Sequence, residues 1–180
     1  IVNEGRRVIN NITASASMYL IKTIFSVVLS IGMILFGHGY PFKPIQLTVI
    51  SACCVGIPTF FLTYEPNFKR VSGDFLKTVF KNAFPFAFMI AICSTIIVNG
   101  GRVLGLEKEM LSTICVLLTS WCYYNGLRHI YSPLSHYRIF VIYIMQIVLY
   151  ISLIVGHQFL GLGNIDYIGA ITLMFLVTFS

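Results

Sequence analysis

Apolar positions along this chain gather into six runs, at roughly 18–36, 44–64, 79–98, 111–127, 139–157 and 165–180, parted by short polar stretches. A helix crossing the ~30 Å hydrocarbon core of a bilayer needs ~20 such residues in succession. The pattern therefore predicts an all-α polytopic membrane protein with six transmembrane helices. The fourth run is marginal in length. The sixth is short and runs into the C-terminus, so it is expected to be truncated. The chain opens at Ile1 with no methionine and no signal-peptide pattern, and it reads as a segment of a longer protein.

The first predicted helix exceeds a bilayer. From Glu4 to Phe36 it would extend ~50 Å at 1.5 Å per residue. Its first half, EGRRVINNITASAS, suits water, and its second, MYLIKTIFSVVLSIGMILF, suits lipid. The division that follows is a stalk over 1–17, a helix pair over 18–64 and a four-helix supporting bundle over 65–180. The loops between runs, 37–43, 65–77, 99–109, 128–138 and 156–164, are too short for a soluble domain.

The second run, PIQLTVISACCVGIPTFFLTY, carries Pro58 in its midst. Proline removes one helical hydrogen bond and crowds the carbonyl four residues back, that of Cys54. Inside lipid a freed carbonyl must be met by protein, a polar cavity or an ion. A kink or unwound turn near Cys54, with Gly56 and Pro58 as the break, is the expectation.

Composition agrees with the membrane reading: 57% hydrophobic, 10% charged, mean hydropathy +0.87. Arg6, Arg7, Lys69, Arg70, Lys77, Lys81, Arg128 and Arg138 fall on one side of a six-span topology. Lys43, Arg102 and Lys108 fall on the other, and Lys22 lies within a span. Positive-inside counting puts the N-terminus in the cytosol of a multi-pass protein of the cell membrane. The net charge of +6 follows from that bias, and no basic stripe interleaved with aromatics suggests nucleic acid as a partner. The five cysteines lie in apolar runs without a CxxC pair and read as small hydrophobes.

Two polar faces are candidates for chemistry. Lys22, Ser26 and Ser30 share one face of the first helix, with Thr23 beside them. An ionisable group in a span is a functional candidate, yet Lys22 could equally snorkel to the cytosolic interface. On the second helix Thr48, Ser51 and Cys54 form a narrow face ending at the break. Hydroxyls and freed carbonyls suit a hard cation; the alternative is hydroxyls bonded along their own helix. Adjacent Cys53 and Cys54 point ~100° apart and make a poor soft-metal pair. Ser112, Thr113, Thr119, Ser120 and Asn125 read as helix-packing positions, and Gln146 as an interhelical hydrogen bond. The Asn11-Ile12-Thr13 sequon would be silent in the cytosol. Neither a phosphate-binding glycine loop nor a nucleophile–base pair is present, so the catalytic residues are expected to be none.

EGRRVINNI at 4–12, PIQLTVISACCVGIP at 44–58 and the continuation FFLTYEPN resemble the P-type ATPase family of cation pumps. The first looks like the stalk of the family's fifth membrane helix and the second like its sixth. The resemblance is tight over residues 4 to 67 and runs in hydropathy alone through helices seven to ten. It implies an ATP-driven cation translocase that forms an aspartyl-phosphate on a cytosolic domain, with ATP and Mg2+ acting outside this segment. The family's DKTGT and GDGxND motifs are absent here, as are its first four helices. By position, Thr23 and Ser26 stand where calcium and sodium–potassium pumps place an Asn and a Glu or related group. Ser51, Cys54 and Val55 stand where they place Asn, Thr and Asp. With those carboxylates gone, the resemblance implies Lys22 as a built-in counterion. The sequence looks most like a bacterial branch implicated in calcium transport, which makes Ca2+ the expected cargo. The implied partners are the lipid bilayer and the N-terminal membrane helices and cytosolic domains of the same protein. The competing expectation is a non-catalytic six-span scaffold or channel subunit.

Overall fold

The computed structural model describes residues 2–65, 67 and 74–162. Among them the chain is helical and without strands. It runs α1 (Val2–Leu35), α2 (Pro44–Ile50), a π-helical segment (Ser51–Gly56), α3 (Ile57–Leu62), α4 (Phe75–Val103), α5 (Lys108–Ile130), α6 (His136–Val155) and the single turn α7 (His157–Leu160). Four helical stretches are long and apolar enough to cross a membrane: α1, the composite Pro44–Leu62, α4 and α6. The predicted span at 165–180 lies outside the described residues.

α1 is one unbroken helix of 34 residues, about 50 Å long. It buries Ala14, Met18, Ile21, Phe25, Leu29 and Met33, a stripe at spacings of three and four, and packs most extensively against α4. α4 answers with Ala83, Ala87, Ala91 and Ser94, all buried. Small residues let two backbones approach where lipid supplies no hydrophobic drive; a Cβ on Gly32 would stand 3.3 Å from Thr95 Oγ1.

The marginal fourth run becomes α5, the middle of the bundle. Its 23 residues reach about 35 Å, enough for a crossing. Ser112, Thr113, Thr119 and Ser120 are all buried there, as are Tyr123 and Tyr124. Protein rather than lipid surrounds this helix, touching it through α1, α2, the π segment, α4 and α6. A helix enclosed by protein needs no continuous apolar surface, which is why its hydropathy signal is weak.

Helices outrun the apolar runs. The expected 99–109 loop shrinks to 104–107, because α4 extends to Val103 and α5 begins at Lys108. α4 stops where Gly105 adopts φ +72°, with Gly105 N–H bonded to Arg102 O and Leu106 N–H to Gly101 O. α1 stops in the same way at Gly37, φ +66°. Both glycines occupy the left-handed position that closes a helix and satisfies its last carbonyls. α6 is capped at its start by Ser135, whose Oγ accepts the Arg138 amide.

Candidate functional site

Pro58 sits in the first turn of α3, directly after a widened turn rather than at a simple kink. From Ser51 to Gly56 the helix is π-wound, and Ile57 N–H reaches Ala52 O five residues back. Inserting a residue per turn lets the chain absorb a proline without leaving the helix, and such bulges gather at functional sites. Where a kink or unwound turn was expected near Cys54, the chain stays helical and widens into a π turn.

Side chains meet three of its carbonyls. Thr59 Oγ1 donates to Val55 O at 2.6 Å and lies 3.0 Å from Gly56 O. From α5, the buried Tyr124 hydroxyl donates to Cys53 O at 3.4 Å. Tyr19 of α1 also approaches: a Cβ at Gly56 would lie 4.0 Å from its hydroxyl. The site is thus a π turn packed against α6 as well as α1 and α5. Tyr19, Thr59 and Tyr124 did not stand out in the sequence, because their relation to the break depends on packing.

The six polar candidates are distributed unevenly about this turn. Cys54 is fully buried within it. Ser51 opens it and donates to Leu47 O at 2.6 Å. Thr48 is exposed and donates to Pro44 O at 3.0 Å. On α1, Thr23 is exposed and reaches Tyr19 O at 3.4 Å. Ser26 is half-buried and shares a 3.2 Å hydrogen bond with Tyr40 of the α1–α2 turn. The half-buried Lys22 has no hydrogen-bond or ion-pair partner among the described residues. Burial pushes the Tyr40 phenol upward, against the opposing pull of the Ser26 hydroxyl, so the pair stays neutral.

Two polar knots hold the ends of the broken helix. At one end Gln46, wholly buried, donates from Nε2 to Leu160 O at 3.0 Å. Its Oε1 accepts Ser112 Oγ at 2.9 Å and the Lys43 amide at 2.9 Å. At the other end Glu65 Oε2 accepts Arg138 Nε at 3.1 Å and Ser135 Oγ at 2.6 Å. Arg138 Nη1 continues to Tyr131 O at 2.6 Å and Pro133 O at 3.1 Å. The N-terminal half of α1 joins here: Asn11 Nδ2 donates to Thr63 O at 3.0 Å and Asn10 Nδ2 to Asn67 O at 2.9 Å. Asn11, the sequon asparagine, is thereby tied to the end of the broken helix. Gln46 and Glu65 entered the sequence reading only within the family-like strings PIQL and FFLTYEPN, and their partners were not visible there.

A bundle of bilayer-length helices with a broken, protein-clasped crossing defines a multi-pass membrane protein. No protein-family model matches the chain, and no solved structure matches it. Curated proteins do. A probable cation-transporting ATPase of Streptococcus pneumoniae is 33% identical over 150 residues, covering 79% of this chain and 19% of that protein. A calcium-transporting ATPase of Mycobacterium bovis is 31% identical over 135 residues, covering 66% of this chain and 17% of its own length. That of Mycolicibacterium smegmatis is 30% identical over 131 residues, 65% of this chain and 17% of its own. The chain belongs to the P-type ATPase family of cation pumps, and it spans less than a fifth of the length of these relatives.

Proposed function

We propose that this chain is the membrane portion, helices five to ten, of an ATP-driven pump that moves a cation, calcium in the first instance, across a bacterial cell membrane. The observation that carries the reading is the contact between an unbroken 34-residue rod, α1, and the π turn of the neighbouring crossing. A rod that tilts or shifts at its stalk end moves Tyr19 against Gly56 and changes the room around the turn. The bonds from Asn10 and Asn11 to the end of the broken helix make both elements move together at that end. ATP and Mg2+ act in cytosolic domains outside this chain, and the stalk faces the cytosol. Calcium as cargo rests on the names of the mycobacterial relatives.

In this reading Thr23, Ser26, Thr48, Ser51 and Cys54 flank the ion path, with Gly56 and Pro58 providing the break. Lys22 acts as a resident counterion. The support for that role is a half-buried ammonium in an apolar helix with no partner among the described residues, where an unpaired charge is costly and tends to be retained for function.

Ion-stimulated ATP hydrolysis by the full reading frame containing this chain, screened over calcium, magnesium, manganese, potassium and sodium, tests the proposal. Activity should depend on one of these ions, and Lys22→Ala should change that dependence. If Lys22→Ala leaves both rate and ion dependence unaltered, Lys22 is an interfacial snorkelling residue. If the frame lacks DKTGT and GDGxND upstream of Ile1 and hydrolyses no ATP, the scaffold or channel-subunit reading replaces the pump.

A further inference from the structure

At the end of the bundle opposite the stalk, the α1–α2 turn, the end of α4 and the start of α5 enclose a cavity of about 400 Å³. That is within the range of small-ligand sites, about 300–1,000 Å³. Three cations line it, Lys43, Arg102 and Lys108, against one carboxylate, Glu109. Its walls include Phe42, Val98 and Leu111. It opens where the apolar part of α4 ends and α2 begins, the level at which spans of this length place the bilayer–water boundary.

The basic groups come from three different elements, and two of them are held in place. Arg102 Nη1 donates to His38 Nδ1 at 2.9 Å, which leaves His38 Nε2 to donate to Asn99 Oδ1 at 2.9 Å. Asn99 Nδ2 is in turn anchored on Thr95 O at 2.8 Å. Lys43 Nζ lies 3.3 Å from Gly161 O. Lys108 stands in the first turn of the 23-residue α5, whose unpaired amides add positive potential. Such a cavity repels the cation that a pump would carry, so the transport path is not its use. Basic pockets between transmembrane helices take phosphate headgroups, and an apolar wall beside the charges accommodates the first carbons of an acyl or glycerol group.

We propose that the cavity bounded by Lys43, Arg102 and Lys108 binds a phosphate-bearing anion, either the headgroup of an anionic phospholipid or free phosphate. The inference is independent of the pump reading, since it concerns the far end of the bundle and needs no ATP.

The full reading frame is purified as wild type, as Lys43→Gln/Lys108→Gln, and as Lys77→Gln/Lys81→Gln. The last removes two exposed cations from the stalk-side start of α4 and serves as a charge-matched control. Each is reconstituted in nanodiscs of equal parts phosphatidylcholine and phosphatidylglycerol, extracted in mild detergent, and its retained lipid counted by native mass spectrometry. Lipid-stripped samples are titrated with radiolabelled inorganic phosphate. One interfacial lysine is worth roughly fivefold in affinity for an anionic headgroup, so the cavity variant should bind about 10- to 30-fold more weakly while the control matches wild type. Selective loss of phosphatidylglycerol identifies the lipid as ligand. Selective loss of inorganic phosphate binding identifies the free anion. Equal retention by all three proteins in both assays, or equal loss in both variants, overturns the proposal.

Discussion

Replacing Arg138 with methionine should loosen the stalk-side end of the bundle by about 3 kcal/mol. The Arg138 side chain is 6% exposed and Glu65 28%. Its guanidinium supplies Glu65 Oε2, Tyr131 O and Pro133 O at once. Methionine keeps the volume of the stem and removes every donor, so two carbonyls lose a charge-assisted partner and the carboxylate keeps the Ser135 hydroxyl. Removing one partner of a buried ion pair costs about 3–5 kcal/mol. The exposed part of Glu65 lets water take up some of its charge and sets the expectation at the low end. Glu65→Gln retains an acceptor but leaves the buried Arg138 guanidinium without its counter-charge, and should cost about 2–3 kcal/mol. In the double variant no unpaired charge remains, so its cost should fall below the sum by about 1–2 kcal/mol. Hydrogen–deuterium exchange on the full protein reads this locally. Amides at 60–65 and 131–140 should exchange about 100-fold faster in Arg138→Met, the equivalent of that free energy. Exchange within about threefold of wild type, or strict additivity in the double variant, would refute the reasoning.

Gln46→Leu removes one donated and two accepted bonds from a fully buried amide and strands Leu160 O and Ser112 Oγ. It should cost about 2–4 kcal/mol, seen as faster exchange at the start of α2 and in α7, and wild-type protection there would contradict it. Two glycines should respond oppositely to alanine in a detergent melting assay. At Gly126 a Cβ meets Ile21 Cδ1 at 3.5 Å and Phe86 Cγ at 3.6 Å, ordinary contact, so helix propensity should stabilise by about 0.5–1 kcal/mol. At Gly101 a Cβ collides with Leu111 Cδ2 and must displace it, costing about 1–3 kcal/mol. The reverse order of melting temperatures would show that the α4–α5 contact is looser than drawn.

Much of the architecture was legible in one dimension. Lipid demands a long apolar run for each crossing, so hydropathy located α1, the composite second helix, α4 and α6 with few competing readings. The lost hydrogen bond at Pro58 was legible for an equally local reason, since a missing amide has the same consequence in any fold, whereas the π winding that accommodates it was not. The family was legible in EGRRVINNI and in PIQL through to Pro58, strings short enough to be read without the structure.

What the break does with its carbonyls was decided by tertiary structure. Tyr124 is 71 residues from Cys53, and Arg138 is 73 from Glu65. Periodicity says which face a residue shares within its own helix, and nothing about which polar group a distant helix will bring to it. The same limit explains α5: Ser112, Thr119 and Ser120 depress its hydropathy, and their burial became evident once other helices enclosed them. Lys22 shows the boundary between the two. Its position in an apolar helix is a fact of sequence, whereas its half-buried setting beside the stripe of Met18, Ile21 and Phe25 arises from how α1 packs on its neighbours. The sequence by itself determined which stretches are long and apolar enough to cross a membrane and that Pro58 must forgo a helical hydrogen bond, because both follow from local covalent chemistry set against lipid. Tertiary structure decided which groups meet at the break and at the cationic cavity, because those contacts exist only between segments far apart along the chain.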